Sequence, residues 1–200
     1  MGDNRAIFMD RDGTMVVDRN HALAAEDLEF INGAAEALAV FASAGFLLVV
    51  VSNQGGVGLG LFSLEDLQGM DERLREMVSE AGVELAGTYY CTDKPGADCD
   101  CRKPEPALAL AAADDLDIDI GGSWVVGDKT SDVMLGRNIG CRSALVLTGK
   151  ACNDGRFEVE PDLVAADLLD CARAITGAVA SEVPPGSSIP QAAVAWDSPW

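Results

Sequence analysis

The run Phe46-Leu47-Leu48-Val49-Val50-Val51 leaves few options for the fold. Six consecutive apolar residues cannot alternate a wet face with a dry one, so a strand built from them is buried on both sides. A sheet covered on both faces needs helices above and below it, and its strands are then mostly parallel. Ile7-Phe8-Met9 and Ser123-Trp124-Val125-Val126 are shorter runs that read as strands, and Gly87 to Cys91 and Ser143 to Leu147 add two more. Helical patterns lie between them. Gly33 to Ala44 carries Ala37, Leu38 and Phe41 at helical spacing, with Gly45 just past its end. Ser63 and Asp66 have capping-box spacing ahead of the stripe Leu64, Leu67, Met70, Leu74, Met77 and Ala81, which closes at Gly82. Further helices are expected over Pro104 to Leu116, Ser131 to Ile139 and Ala165 to Ile175. Strands alternating with helices predict an α/β fold: a doubly wound, Rossmann-like parallel sheet in a three-layer sandwich. Met15 to Asn32 has no clear period and reads as a loop or small flap.

The segments are short, and residues 1–177 are expected to form one domain without a large cap. Residues 178–200, with Pro184-Pro185-Gly186-Ser187-Ser188 and Pro190, read as a disordered tail. Trp196 and Trp200 sit in that tail, docked or mobile.

Charge narrows the partners. Fourteen basic residues against 33 acidic ones give a net charge of −19, which argues against nucleic acid or an anionic membrane as partner. No apolar stretch is long enough to span a bilayer, and Met1-Gly2-Asp3-Asn4-Arg5 lacks a signal-peptide layout, so a cytoplasmic location is expected. Of six cysteines, Cys91, Cys99 and Cys101 crowd together, and in a cytosolic chain that pattern favours a metal over a disulfide.

Chemistry collects at the strand ends, where open α/β sheets bind ligands. Asp10 and Asp12 follow the first strand, and Gly13 allows a sharp turn beyond them. Two adjacent carboxylates repel, and hard oxygen ligands of this kind suit Mg²⁺. Ser52 ends the second strand, followed by the backbone amides of Asn53 and Gln54, placed to face a phosphate. Arg102 and Lys103 precede a helix. Gly127-Asp128-Lys129 ends another strand, with Asp132 one turn into the next helix. Metal ligands, a hydroxyl donor and a pair of cations are equipment for phosphoryl transfer.

Asp10-Arg11-Asp12-Gly13-Thr14, Ser52, Lys103 and Gly127-Asp128 with Asp132 match, in order and spacing, the four motifs of the haloacid dehalogenase (HAD) superfamily, which the chain resembles from about Arg5 to Ala178. The resemblance implies a phosphatase working through an aspartyl-phosphate, with Asp10 as nucleophile and Asp12 as general acid and then base. It implies Mg²⁺ held by Asp10, the Asp12 carbonyl and Asp128. Ser52 and Lys103 would bind the transferring phosphoryl oxygens, and Asp132 would orient Lys103 or a metal-bound water.

Tyr89-Tyr90-Cys91, Ser52-Asn53-Gln54, Cys99-Asp100-Cys101-Arg102-Lys103-Pro104 and Val126-Gly127-Asp128-Lys129 resemble the capless heptose-bisphosphate and histidinol-phosphate phosphatases of that superfamily. That likeness implies a small sugar phosphate as partner, with histidinol phosphate as an alternative and a catalytically silent binding module of the same fold as a distant one. Its substrate contacts fall on Arg11, Asp18, His21, Asn53, Gln54, Gly55, Arg102 and Lys129, although His21 is equally compatible with plain exposure. The likeness also implies a structural zinc loop on Cys91, Cys99 and Cys101, with Asp93 standing where the family has histidine. Three thiolates and a carboxylate complete a tetrahedral set; the alternative is three reduced thiols on a loop. A monomer or weak homo-oligomer is expected.

Overall fold

In the computed structural model, residues 4–20 and 24–177 are described. Six strands make one parallel sheet: β1 (Arg5–Met9), β2 (Phe46–Asn53), β3 (Gly87–Cys91), β4 (Trp124–Gly127), β5 (Arg142–Val146) and β6 (Leu163–Ala165), in the order β3-β2-β1-β4-β5-β6. Among the described residues four α-helices connect the first five strands, α1 (Ala34–Ser43), α2 (Leu64–Glu80), α3 (Ala107–Asp115) and α4 (Thr130–Ile139), and α5 (Leu168–Thr176) follows β6. No further domain interrupts this order among the described residues.

Alternation along the central strands divides the core in two. Ile7, Met9, Leu48 and Val50 pack with Leu38, Phe41, Met70, Leu74 and Leu168 from α1, α2 and α5. Ala6, Phe8, Val49 and Val51 pack with Ala109, Ala112 and Leu135 from α3 and α4. Ile7, Phe8 and Met9 are fully buried, and each such side chain contributes about 1.5–3 kcal/mol. The three-layer expectation holds for this reason: both faces of β1 and β2 are apolar and both are covered.

Local signals act where expected at α2. Ser63 Oγ accepts from the Asp66 amide at 3.1 Å, and Asp66 Oδ2 accepts from the Ser63 amide at 2.7 Å. Residues 10–20 and 24–33 lie beside the end of β1, with Met15 and Val16 fully buried and Val16 bridging both Asp12 and Phe30.

Three boundaries differ from the sequence reading. Helix α3 starts at Ala107, because residues 102–106 form a separate turn in which the Glu105 amide donates to the Arg102 carbonyl at 2.9 Å. The strand β6 was absent from that reading; three residues with a single β-branched side chain give no pattern, and the short strand is recruited by pairing with β5. Helix α5 accordingly begins at Leu168, capped by Asp167 accepting from the Asp170 amide at 2.8 Å. The tail 178–200, Trp196 and Trp200 lie outside the described residues.

Because β1 sits between β2 and β4, the connections leave it in opposite directions and open a crevice at its carboxyl end. That crevice receives the ends of β1, β2 and β4.

Candidate active site

Asp10 follows β1 directly and is nearly fully buried. Its Oδ1 accepts from Ser52 Oγ at 2.8 Å and lies 3.0 Å from Lys103 Nζ, while Oδ2 lies 2.8 Å from Lys129 Nζ. Burial would raise its pKa, but the two ammonium charges outweigh burial and hold it well below the usual carboxylate range. Asp10 is therefore an anion at any physiological pH.

Lys103 arrives from the turn before α3. Asn53 fixes that turn, its Oδ1 accepting from the Lys103 amide at 2.9 Å and its Nδ2 donating to the Lys103 carbonyl at 3.3 Å. The buried ammonium reaches Asp132 Oδ1 at 2.7 Å and donates to the Val51 carbonyl at 2.7 Å. Burial works against its charge, yet Asp10 and Asp132 raise its pKa and keep it protonated.

Lys129 Nζ lies among three oxygens: Asp10 Oδ2 at 2.8 Å, the Asp12 carbonyl at 3.1 Å and Asp128 Oδ1 at 2.9 Å. Those are the three groups expected to hold Mg²⁺, and here an ammonium stands among them in place of a metal cation. Asp128 is fully buried; burial first, and then the Asp10 charge, push its pKa up to about 6 against the pull of Lys129. The carboxylates of Asp10, Asp128 and Asp132 lie within 4.8 Å of one another. This donor set is all oxygen and short of positive charge, so it fits Mg²⁺. Gly13 and Gly149 allow the close approach: each has positive φ, and a Cβ on either would collide with the Asp128 carboxylate.

Asp12 is held to one side by Arg11 Nε at 3.1 Å and Gln54 Nε2 at 2.7 Å, while Gln54 Oε1 accepts from Arg11 at 3.0 Å. Arg11 is buried and locks Asp12 in place at the wall of the cleft. A cleft of about 440 Å³ opens above, lined among others by Asp10, Asp12, Asp18, Ser52, Asn53, Gln54, Arg102, Lys103 and Lys129.

Some expected site residues are placed differently. The Gln54 amide donates to the Cys91 carbonyl at 2.7 Å, so it is not free to face a phosphate. Gly55 is not among the residues lining the cleft; it backs onto Arg102 and the Asp93 carbonyl. Asp18 lines the cleft with its carboxylate 3.3 Å from Lys150 Nζ. His21 lies outside the described residues.

At the cysteine loop, Cys91 and Cys101 are joined as a disulfide, with Cα atoms 5.4 Å apart. This departs from the expectation of unpaired thiols: the loop after β3 folds back and brings Cys101 within disulfide range of Cys91. Cys99 Sγ lies 3.9 Å from Cys91 Sγ, and Cys101 Sγ 3.5 Å from Asp93 Oδ2. One ligand atom from each of these four residues falls within a 4.8 Å span.

The segment 148–157 was missed by sequence reasoning, and it contributes Lys150, Asn153, Asp154 and Arg156 to the cleft. Thr148-Gly149-Lys150 resembles any polar loop, and the visible signal was only its position after a strand.

A HAD-hydrolase-like family model matches residues 100–171. The chain is 38% identical over 174 residues to the D-glycero-beta-D-manno-heptose-1,7-bisphosphate 7-phosphatase of Haemophilus ducreyi, a match covering 83% of this chain and 95% of that protein. The chain belongs to this HAD-like phosphatase family. The Escherichia coli K12 protein of the same name is 37% identical, with 85% and 93% covered. In structure the chain is similar to the D,D-heptose 1,7-bisphosphate phosphatase of B. bronchiseptica, solved with magnesium and phosphate. The TM-score is 0.80 and the identity 26%, with 86% of this chain and 98% of that one covered. The Burkholderia thailandensis heptose bisphosphate phosphatase gives a TM-score of 0.65 at 26% identity, with 84% and 96% covered. Among the described residues no helix is long and apolar enough to cross a membrane.

Proposed function

We propose that the chain is a Mg²⁺-dependent phosphatase that removes the 7-phosphate of D-glycero-D-manno-heptose 1,7-bisphosphate through an aspartyl-phosphate on Asp10. The observation that carries this reading is a buried carboxylate kept anionic by Lys103 and Lys129 and opening on a cleft. The names of the relatives supply the substrate class.

Asp10 attacks phosphorus, the bond to the sugar oxygen breaks, and Asp12 gives that oxygen its proton. Lys103 and the Ser52 hydroxyl then neutralise charge on the phosphoryl oxygens. Asp12, left as a carboxylate in the grip of Arg11 and Gln54, takes a proton from the water that releases phosphate. Asp132 fixes Lys103 on Asp10 throughout. Asp10, the Asp12 carbonyl and Asp128 would hold Mg²⁺, which would supply charge neutralisation at the phosphoryl group.

The quartet Cys91, Asp93, Cys99 and Cys101 fits Zn²⁺ when its sulfurs are reduced. Zn–S bonds of about 2.3 Å separate ligand sulfurs by roughly 3.8 Å in a tetrahedron, close to the 3.9 Å between Cys91 and Cys99. Such an ion would be structural, fixing the loop that presents Arg102 and Lys103. A cytoplasmic setting is in keeping with four unpaired cysteines among the described residues, Cys99, Cys141, Cys152 and Cys171. The enzyme acts on a small molecule, as a monomer or weak homo-oligomer.

The test is phosphate release with Mg²⁺ from heptose 1,7-bisphosphate and histidinol phosphate side by side, using the wild type and Asp10→Asn. Preference for the bisphosphate, abolished in Asp10→Asn with an unchanged circular-dichroism spectrum, is expected. Preference for histidinol phosphate would overturn the substrate, and an active Asp10→Asn would overturn the nucleophile.

A further inference from the structure

The proposed hydrolysis employs only part of the positive charge in the cleft. Six of the chain's 14 basic residues line it: Arg11, Arg102, Lys103, Lys129, Lys150 and Arg156. In a chain of net charge −19 such a concentration calls for a cause. Arg11, Lys103 and Lys129 are neutralised by the catalytic carboxylates, and Lys150 Nζ meets Asp18 at 3.3 Å and Asn20 at 3.2 Å. Two guanidinium groups remain. Among the described residues Arg102 makes one hydrogen bond, from Nη1 to the Asp93 carbonyl at 3.2 Å. Arg156 has no hydrogen bond or ion pair with any described residue, although 33 acidic residues are available in the chain.

The two arginines share the rim between the catalytic cleft and a neighbouring hollow of about 460 Å³. They lie close enough that, after burial, the charge of Arg156 is the main influence depressing the pKa of Arg102. Asp98 and Glu105 line the same hollow and Asp154 the cleft, but no ion pair joins either guanidinium to a described carboxylate. Like charges set together repel, and a dianion bridging both relieves that repulsion. Guanidinium groups suit this role, since each presents paired N–H donors to two phosphate oxygens.

Arg156 is also carried on backbone that is held in place. Thr148 Oγ1 donates to the Gly13 carbonyl at 2.6 Å, and the Lys150 amide to Asp128 Oδ2 at 2.7 Å. The Cys152 amide donates to the Asp128 carbonyl at 2.8 Å. Asp154 accepts from the amide and hydroxyl of Thr130 at 2.9 and 2.8 Å. Ala151 and Cys152 both take left-handed φ, at 47° and 60°, which non-glycine residues adopt only when their surroundings impose it. The segment is thus tied to the same carboxylate that is placed to bind Mg²⁺, and Arg156 sits at a fixed offset from the reacting centre.

We infer that Arg156, acting with Arg102, is a specificity-determining residue that seats the second, non-reacting phosphate of a bisphosphorylated sugar. The inference rests on the phosphatase reading above and adds to it a residue that none of the sequence motifs contains. Without such a seat the cleft would accept any small monophosphate that reaches Asp10. With it, a second phosphate at the far end of the sugar adds binding that a monophosphate lacks.

The experiment compares heptose 1,7-bisphosphate with heptose 7-phosphate, which share the reacting phosphate, in the wild type, Arg156→Gln and Arg156→Lys. Arg156 is exposed, so neither variant disturbs the core, and thermal melts should coincide. The wild type is expected to prefer the bisphosphate. In Arg156→Gln that preference should fall roughly 10- to 100-fold, the range of one charge-assisted contact, and the loss should appear in KM rather than kcat. Arg156→Lys should recover part of it. Unchanged preference in Arg156→Gln would overturn the role of Arg156 while leaving the phosphatase reading intact. Equal wild-type turnover of the two sugars would overturn the second-phosphate seat. Turnover of neither would overturn the phosphatase reading and the seat together.

Discussion

Replacing Lys103 by methionine should both disable and destabilise the protein, and the structure sets the size of the second effect. The Lys103 ammonium is buried and touches Asp132 Oδ1 at 2.7 Å, the Val51 carbonyl at 2.7 Å and Asp10 Oδ1 at 3.0 Å. Methionine fills much the same volume, so little cavity forms. What is lost is the positive charge between two buried carboxylates, and breaking a buried ion pair from one side costs about 3–5 kcal/mol. At roughly 2–4 °C per kcal/mol for a chain of this size, the melting temperature should fall by about 6–20 °C at pH 8. The pH dependence follows with a definite sign. Without Lys103, Asp132 and Asp10 lose a charge that lowers their pKa values, so both rise. A carboxyl whose folded pKa lies above its unfolded value contributes stability at low pH that is lost as pH rises through the folded pKa. The deficit relative to wild type should therefore shrink when the melts are repeated at pH 5, both series being run in chelator. A variant melting within about 2 °C of wild type at pH 8, or showing the same deficit at both pH values, would refute the view that Lys103 neutralises two buried carboxylates.

Other perturbations reach the remaining parts of the site. The pKa of Asp128 is pushed up to about 6, so Mg²⁺ affinity measured by titration calorimetry should weaken steeply as pH falls below that value, because the metal must displace a proton. An affinity flat between pH 5 and pH 8 would remove Asp128 from the ligand set. Cys99→Ser should lower zinc content and melting temperature together in protein purified under reducing conditions; no change in either would make the cysteine loop incidental to metal. Thr130→Val deletes the hydroxyl bond to Asp154 and should cost about 0.5–1.5 kcal/mol in a urea melt while raising KM for the bisphosphate, since Asp154 anchors the segment that carries Arg156.

Most of the fold was legible because burial on both faces leaves a continuous apolar run, and β1, β2 and β4 each carry one. The catalytic carboxylates were legible for a related reason: Asp10 and Asp128 follow such runs abruptly, and a charge at the end of a buried strand is conspicuous. Where side-chain pattern does not dictate structure, the reading failed. The strand β6 exists by pairing with β5, and α3 starts late because Asn53, 50 residues away in sequence, holds the Lys103 backbone out of a helix. The Gln54 amide looked available because a sequence does not show that the Cys91 carbonyl of the neighbouring strand claims it.

Lys129 and the segment 148–157 share one cause for what the sequence left open. Each takes its meaning from Asp128, which is buried, short of positive charge and surrounded by donors from both sides: the Lys129 ammonium on Oδ1 and the Lys150 amide on Oδ2. A carboxylate in that position has to be satisfied by whatever the fold can bring, and this fold brings an ammonium and a loop backbone. Satisfying Asp128 therefore does two things at once. It forms a cation site among Asp10, the Asp12 carbonyl and Asp128, filled here by the Lys129 ammonium, and it helps hold the segment that carries Arg156 at the rim of the same cleft. The offset of Arg156 from Asp10 is then set by the hydrogen bonds of Asp128 together with those of Thr148 and Asp154, so a metal ion at that site and a bisphosphate spanning the cleft would be read by the same segment.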